Sequence, residues 1–336
     1  MRCRKVTAAV CVAAMLAGTL HAGESRLRVQ TAEMSRAAEA AIDRALRYLD
    51  ATQNADGSWG STYKSAETAL AIMAFMVRGH MPGRGQYGAR IDKAVTFLVN
   101  RGREKGGFLG SERQGMYEHG LATLALCEAW GESDNEQLRD VIKKAVDVIF
   151  RSQNPAGGWR YSPQPVDADL SVTVMQIMAL ASAKEAGILV PDKVLEKATR
   201  YVLSCQHPLG GFCYQPGGAP GFARTAAGVM SLFMADVRDS VSIRRGLDYL
   251  LKADNSKFQS VSYYFYAHYY AIQAMYQSGE ANYQRWYPSI RDAVLARQRP
   301  DGSFSGADAG ASPAYSTAMA VLILGVPYRY LPIYQR

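Results

Sequence analysis

Two carboxylic acids stand two residues apart just ahead of a long apolar segment, Asp167 and Asp169 in the run Asp-Ala-Asp-Leu-Ser. A carboxyl group that is removed from water keeps its proton to a higher pH, so such a residue could donate a proton to a bound substrate. We therefore predict Asp169 and Asp167 as catalytic candidates. The alternative is structural, because Asp169 also stands where an Asp would cap the first turn of a helix.

Two histidines hold matching positions in an internal repeat of the chain, each at the start of an apolar segment. His119 and His268 are therefore predicted as further catalytic candidates, since an imidazole can move a proton near neutral pH. The alternative for each is a satisfied residue of the core. Polar and aromatic residues near the same segment starts are predicted to bind the substrate: Glu67, Glu118, Thr173, Arg224, Tyr263, Tyr264 and Tyr315.

Aromatic side chains are concentrated in the fifth of these apolar segments, at positions 263–266, 269 and 270. A cavity with aromatic walls and a polar rim would suit an isoprenoid, because aromatic faces stabilise carbocations. The same lining would also suit a sugar or a peptide. These residues predict a ligand site, and they leave the class of ligand open.

The repeat that aligns these residues is a short phrase, Gln53-Asn-Ala-Asp-Gly57-Ser-Trp59. Further full copies begin at Gln153, Gln206 and Gln298, and two degenerate copies end at Phe108 and Phe258. The aromatic residues that end the six copies fall at positions 59, 108, 159, 212, 258 and 304, about 50 residues apart. Self-similarity at such a period is typical of repeat architectures.

An amphipathic pattern precedes each copy, and a more uniformly apolar pattern follows it. Residues 42–49 and 91–98 are apolar at i, i+3, i+4 and i+7, which predicts helices with one side in water. Residues 67–75 and 121–126 are apolar almost throughout, which predicts helices buried on most sides. Six such units predict an all-α (α/α)6 toroid of twelve helices. An open solenoid is the alternative, but the absence of polar capping repeats favours the closed ring.

The repeated phrase itself is predicted to hold the hairpins together. Its Gly permits a positive φ, its aromatic residue plugs the gap between hairpins, and its Gln amide can bind exposed backbone groups.

The phrase Gln-x-x-x-Gly-x-Trp/Phe, in four full and two degenerate copies, resembles the repeats of the prenyltransferase and squalene cyclase superfamily. The resemblance covers roughly residues 36–325 and implies the (α/α)6 toroid. That fold serves terpene cyclases, protein prenyltransferase subunits and thioester domains, so it is less specific for activity. Segments 116–129, 157–161 and 171–180 are similar to an exported bacterial subgroup of squalene cyclase-like proteins. The ending 331–336 is expected to pack across one end of the ring.

Class II terpene cyclases protonate an alkene or epoxide with the middle Asp of Asp-x-Asp-Asp-Thr, so the resemblance implies Asp169 as the proton donor. Leu170 stands where the second adjacent carboxylate belongs, and Ser171 replaces the Thr. The zinc-binding Asp-x-Cys of protein prenyltransferases and the Gly-Cys-Gly-Glu-Gln of thioester domains are both missing. We therefore expect no metal and no cofactor.

The N-terminus has the three-part plan of a secretory signal. Arg2, Arg4 and Lys5 precede an apolar run at 6–20, and Ala22 offers a small residue for cleavage. The run is short for a transmembrane helix, although an uncleaved anchor is the alternative. We predict a signal peptide at 1–22, a flexible segment at 23–35 and a single toroid domain at 36–336. The expected location is the periplasm or the extracellular medium.

The basic excess does not point to nucleic acid. The chain has 38 basic and 30 acidic residues, and loss of the three signal cations leaves 35 against 30. That charge is too diffuse for a nucleic-acid surface, so the expected partner is an apolar small molecule or lipid. Peripheral membrane contact and the oligomeric state stay open. Cys205 and Cys213 could form one bridge, or could remain free buried thiols like Cys127.

The candidate residues and the resemblance leave three hypotheses for function. The first is an exported terpene cyclase-like protein with an apolar central cavity and Asp169 as its acid. The second is a non-catalytic toroid that binds a lipid, a peptide or an envelope partner. The third is a carbohydrate-active toroid that uses Glu118 with Asp169, or Tyr264 with His268. The repeated phrase argues against the third.

Overall fold

The computed structural model describes residues 34–111, 115–131, 136–238, 240–252, 261, 263–305 and 312–335. The predicted signal peptide and most of the 23–35 segment lie outside the described residues. Two short 3-10 helices, Val326–Tyr328 and Pro332–Tyr334, follow the α-helices. In chain order, the described α-helices are α1 Arg36–Ala51, α2 Lys64–Val77, α3 Gly88–Glu104, α4 Gly115–Trp130, α5 Glu136–Ser152, α6 Leu170–Glu185, α7 Asp192–Ser204, α8 Phe222–Met234, α9 Val241–Leu251, α10 Tyr264–Gln277, α11 Glu280–Leu295 and α12 Pro313–Gly325.

Odd-numbered and even-numbered helices differ in how they are buried. In α1 the buried side chains keep to one face, among them Ile42, Leu46 and Leu49. In α2 every residue from Ser65 to Val77 is buried. The amphipathic patterns thus form an outer layer, and the uniformly apolar patterns form an inner layer, as their composition predicts. No helix among the described residues is both long and apolar enough to cross a bilayer.

The inner helices form a closed ring. Each even-numbered helix packs against the next one, and α12 returns to pack against α2. The Gln298 amide donates to the Ala41 carbonyl in α1 at 2.7 Å and so ties the last repeat to the first. The all-α (α/α)6 toroid predicted from the repeat is confirmed.

The motif glutamines join neighbouring hairpins. In the four full copies, Gln Nε2 donates both to the carbonyl of the motif Gly and to a carbonyl near the start of the next outer helix. This second carbonyl belongs to Arg90 for Gln53, Val194 for Gln153, Ser242 for Gln206 and Ala41 for Gln298. One amide therefore satisfies backbone acceptors in two repeats at once, which an apolar side chain could not do.

The motif Gly allows the turn to touch the next outer helix. Gly302 has φ +89°, and a Cβ built on it would lie 2.5 Å from the carbonyl oxygen of Arg44. The motif aromatic then fills the space inside the hairpin. Trp59 and Trp159 are fully buried, and their Nε1 atoms donate at 2.8 Å to the carbonyls of Leu49 and Ile149.

Substitution of Gly302 by Ala should therefore weaken the ring closure. We expect the free energy of unfolding to fall by at least about 3 kcal/mol, because a positive φ costs a non-glycine residue about 1–2 kcal/mol and the clash with Arg44 adds to it. Gly187→Ala is the matched control, since Gly187 has φ +76° with open space around it. Denaturant unfolding of both variants measures the difference, and equal losses would contradict the close approach.

The C-terminal segment lies across the end of the ring where the inner helices end. Pro332–Tyr334 packs against α6, and Ile333 is buried. The Gln277 amide at the end of α10 donates to the Gln335 carbonyl at 3.1 Å. The opposite end of the ring, where the inner helices begin, holds the candidate functional residues.

Candidate functional site

Asp169 caps the N-terminus of α6. Its backbone is extended (φ −140°, ψ 159°), and Oδ1 accepts the N–H of Val172 at 2.9 Å. Its own N–H donates to the Trp159 carbonyl at 3.0 Å, which ties the cap to the repeated motif. Capping and burial occur together in this residue, so the structural alternative and the chemical one do not exclude each other.

The Asp169 side chain is completely buried and has one oxygen left for chemistry. Oδ2 lies 3.4 Å from Nε of Arg160, an ionic contact longer than a well-formed hydrogen bond. Burial raises the pKa of Asp169 to about 6, against the lowering effects of the Val172 N–H, the Tyr214 hydroxyl and the Arg160 charge. The carboxyl thus holds its proton well above the pH at which an ordinary Asp ionises.

Arg160 is held in place from three sides. Asp167 accepts from its Nη1 at 2.7 Å, and the guanidinium lies over the rings of Tyr161 and Tyr214 at 5.2 and 5.5 Å. The two tyrosine hydroxyls are 2.6 Å apart. Asp167 is exposed, so the structure places it as the anchor of Arg160 at the rim rather than beside Asp169 in the interior.

Tyrosines from opposite sides of the ring meet at this level. Tyr117 on α4 and Tyr266 on α10 lie three hairpins apart, yet their ring centroids are 6.4 Å apart. Burial raises the pKa of Tyr266 to about 12, and the nearby Asp169 charge acts in the same direction. The Tyr270 hydroxyl lies 2.9 Å from Sδ of Met175 on α6. Aromatic side chains therefore reach across the ring axis just inside Asp169.

His119 serves the repeat rather than this cluster. Its Nδ1 accepts the N–H of Leu109 at 3.1 Å, and Nε2 lies 3.0 Å from the Ala145 carbonyl. The corresponding residue of four other repeats is a Thr whose hydroxyl accepts the N–H of the motif aromatic. These pairs are Thr68 with Trp59, Thr173 with Trp159, Thr225 with Phe212 and Thr317 with Phe304. Thr173, which we predicted to bind substrate, makes one of these hydrogen bonds within its hairpin.

The pH dependence of stability should reveal this role of His119. Burial lowers the pKa of His119 from 6.5 to about 4, so between these values the unfolded chain binds a proton that the folded protein does not. The folded state should therefore lose stability as pH falls through this interval, by about 3 kcal/mol in total. His268 and Asp169 titrate in the same range in both proteins, so we expect the loss due to His119 as the difference between the urea-unfolding profiles of the wild type and His119→Gln. Parallel pH profiles for the two proteins would contradict it.

His268 is the equivalent residue of the fifth repeat and is also buried. Its ring packs against those of Tyr264 and Phe222, with centroids 4.7 and 5.4 Å away. Burial lowers the pKa of His268 to about 3. Arg297 lies over the Tyr264 ring at 4.3 Å, so Tyr264 and His268 form a separate aromatic and cationic group between α10 and α11.

Glu67 and Glu118 join inner helices to each other. Glu118 accepts the N–H of Ser65 at the start of α2 and the N–H of Ser111, both at 3.1 Å. Glu67 accepts the hydroxyl of Ser312, the cap of α12. Burial raises the pKa of Glu67, and the neighbouring Glu118 raises it further. Both carboxyl groups thus hold helix starts together, which satisfies N–H and O–H groups that would otherwise be buried alone.

The remaining predicted residues lie at the rim. Tyr263 is 67% exposed in the left-handed conformation (φ 56°), just before α10. Tyr315 lies in the first turn of α12, where its N–H donates to Ser312. Arg224 lies in the first turn of α8, with its guanidinium against the backbone of Gly221. Asp167 and Asp169 both contact Arg160, and the Thr173 N–H donates to the Asp169 carbonyl at 3.1 Å. The other candidates lie in separate groups.

Sequence reasoning singled out Tyr266 as part of the aromatic segment, but it missed four other residues around Asp169: Arg160, Tyr161, Tyr214 and Tyr117. One signal was available, because Tyr161 and Tyr214 each stand two residues after the motif aromatic of consecutive repeats. Tyr117 carries no such signal, since only ring closure brings it to Tyr266.

The three cysteines of the described chain are buried and free. Cys213 donates to the Gly218 carbonyl at 2.9 Å, and burial raises the pKa of Cys205 to about 12. Among the described residues, no three His, Cys, Asp or Glu side chains are grouped to hold a metal ion.

Comparison with known proteins agrees with this architecture. The profile of the prenyltransferase alpha-alpha toroid domain matches residues 2–116, 111–195 and 186–262. Drimenyl diphosphate synthase of Streptomyces showdoensis is 30% identical over 181 residues, which cover 52% of this chain and 32% of that protein. Lanosterol synthase of Aspergillus fumigatus is 25% identical over 129 residues, 36% of this chain and 17% of that one. The matched region thus spans a third or less of these relatives.

Solved structures share the fold at low identity. The type II terpene cyclase MstE from Scytonema is 16% identical, with a TM-score of 0.61 over 88% of this chain and 99% of that one. An alpha-1,6-mannanase of Salegentibacter is 8% identical, with the same TM-score of 0.61 over 87% of this chain and 98% of that one. Such likeness shows the fold and not the activity. The family match, which covers most of the chain, places this protein in the prenyltransferase alpha-alpha toroid domain family.

Proposed function

We propose that the protein is an exported terpene cyclase-like enzyme that starts cyclisation of an isoprenoid with a proton from Asp169. The observation that carries the proposal is the completely buried Asp169 carboxyl, whose pKa is raised to about 6 by burial. The cyclases and synthases among its relatives make an isoprenoid the favoured substrate class.

In the first step, the O–H bond of Asp169 breaks and its proton adds to one carbon of an alkene. The π electrons form the new C–H bond, and the other alkene carbon becomes a carbocation. The electron pair of the O–H bond stays on Asp169 as a carboxylate. Arg160, the Tyr214 hydroxyl and the Val172 N–H then stabilise that carboxylate, as they already lower its pKa. Leu170, which stands where the second carboxylate belongs, takes no part in this step.

In the following steps, a second alkene attacks the cation and closes a ring. The electron-rich faces of Tyr117 and Tyr266 are suited to stabilise positive charge nearby. A proton is finally lost to water and Asp169 is reprotonated, so the product is an isomer of the substrate. Because Tyr117 and Tyr266 meet across the ring axis, substrate entry requires them to separate.

The test is direct. Protein without residues 1–22 is incubated with geranylgeraniol or squalene below pH 6, and extracts are compared by gas chromatography and mass spectrometry with those from heat-denatured protein. A new compound with the mass of the substrate and fewer double bonds supports the proposal. Absence of any such product from either polyene, with folded protein present, would count against catalysis.

The second candidate is a non-catalytic toroid that binds a lipid, peptide or envelope partner. Two observations favour it, namely Leu170 in place of a carboxylate and the contact of Tyr117 with Tyr266 across the axis. Unreacted lipid that co-purifies with the protein would support this candidate. The hypothesis of a glycosidase that uses Glu118 with Asp169 is disfavoured, because both carboxylate oxygens of Glu118 accept backbone N–H groups.

A further inference from the structure

A cleft opens at the end of the ring away from Asp169, where α6, α8 and α10 end. Its volume is about 790 Å³, within the usual range for sites that hold small organic molecules. The C-terminal residues Pro332, Ile333 and Gln335 form part of its wall.

Glu128 gives this cleft an unusual buried carboxyl. The residue is only 3% exposed, and its Oε1 accepts the Ser182 hydroxyl at 2.7 Å. Its Oε2 completes no hydrogen bond of normal geometry with the described residues. Burial raises the pKa of Glu128 to about 7, although Ser182 and the Ile333 backbone lower it in part. With only Ser182 and the Ile333 backbone to stabilise its charge, a carboxylate buried here is costly, so Glu128 either keeps its proton or is joined by a cation.

The charged residues of the rim favour a cation. Lysine and arginine supply three rim charges, and aspartate and glutamate supply four before Glu128 is counted. Two of the three cations already face acids, Lys184 with Asp192 at 3.5 Å and Arg238 with Asp236 at 3.0 Å. These pairs also occupy two of the four rim acids, so the excess of negative charge is modest, five acids against three bases when Glu128 is included.

The inner wall of the cleft is apolar. Leu195 on α7, Phe233 at the end of α8, and Val237 lie along it, and Ile333 closes it from the C-terminal side. Side chains of this kind pack well against an alkyl chain and offer it no hydrogen-bonding group.

We propose that this cleft binds a primary ammonium group carried on an apolar stem, with the Glu128 carboxylate as its counter-ion. The stem lies along the apolar wall, and a rotation of the Glu128 side chain turns Oε2 toward the ammonium group. The shared chemistry fits a free alkylamine and a lysine side chain alike. The cleft lies at the other end of the ring from Asp169 and does not depend on the reaction proposed there.

Calorimetric titration of the mature protein with octylammonium tests the proposal, with octanol and octanoate as uncharged and anionic analogues. We expect octylammonium to bind at least about tenfold more tightly than either analogue, the usual worth of one charge-assisted contact. A short peptide with one central lysine forms a second arm. Tighter binding of octylammonium assigns the cleft to free amines, and tighter binding of the peptide assigns it to lysine side chains.

Glu128→Gln keeps the size of the side chain and an acceptor for Ser182, and it should lower the affinity for octylammonium about tenfold or more. Asp147→Asn, on the exposed face of α5, is the control and should bind as the wild type does. Titration of the wild type is enough to overturn the proposal. It does so if octanol binds as tightly as octylammonium, if octanoate binds more tightly, or if octylammonium does not bind. Unchanged affinity in a folded Glu128→Gln variant would also overturn it.

Discussion

Replacement of Asp169 by Asn is expected to abolish cyclisation while it leaves the fold intact. Asn caps a helix about as well as Asp, so the bond from the Val172 N–H survives and α6 still starts at the same place. The amide has no acidic proton to give, and loss of a general acid costs about 10²–10⁴-fold in rate. Product formation from a polyene, measured at equal protein concentration, is the readout.

Two further variants separate acid chemistry from capping. Asp169→Ala removes both, so it should lose activity and also about 1 kcal/mol of stability. Asp147→Asn changes an exposed carboxyl on α5 and should leave the rate within about twofold of the wild type, as surface changes usually do. If Asp169→Asn keeps wild-type turnover, Asp169 is only a helix cap. If both Asp169 variants carry the same unreacted lipid as the wild type, the protein is a binder.

The rate should also depend on pH with a definite sign. Because burial raises the pKa of Asp169 to about 6, the protonated acid is present below that pH and is lost as pH rises through it. We expect kcat/KM to fall about tenfold per pH unit above the pKa. The folded state also binds this proton more tightly than the unfolded chain does, so Asp169 adds stability at acid pH that is lost as pH rises toward 6.

Trp159→Ala should give the largest loss of stability. Trp159 is fully buried, and its Nε1 donates to the Ile149 carbonyl inside the hairpin. Removal of a buried Trp side chain leaves a cavity and costs about 3–5 kcal/mol. The backbone carbonyl of residue 159 accepts the N–H of Asp169, so a shift of this turn into the cavity left by the ring should displace Asp169 and lower activity as well. Equilibrium unfolding in urea and product assays measure the two effects.

Trp159→Phe is the matched control. Phe212 and Phe304 occupy the same place in other repeats, so the position accepts a smaller ring. The variant loses mainly the bond to Ile149, worth about 1–3 kcal/mol when a buried acceptor is left alone. If Ala and Phe cost the same, the hydrogen bond rather than the ring stabilises the hairpin.

The sequence predicts the fold well because the information is local and repeated. Each full copy of the motif places a Gln, a Gly and an aromatic residue at fixed distances between two helical patterns. Four full and two degenerate copies leave little freedom in the architecture. It predicts Asp169 for the same reason, since a cap and a following apolar helix lie within a few residues. The role of the two histidines is ambiguous in the sequence. An imidazole at the repeat position of Thr173 looks chemical in the sequence, and only the bonds of His119 to Leu109 and Ala145 show its part in the hairpin.

By itself the sequence determined the repeat, the two layers of helices and the acid at the start of α6, because these depend on neighbours along the chain. The tertiary structure decided what surrounds that acid. Closure of the ring brings Tyr117 against Tyr266, and the turn after Trp159 sets Arg160 between two tyrosines and two carboxylates. The same closure buries Glu128 at the far end. Such contacts join residues from distant repeats, and their energies arise from burial that exists only once the ring has closed.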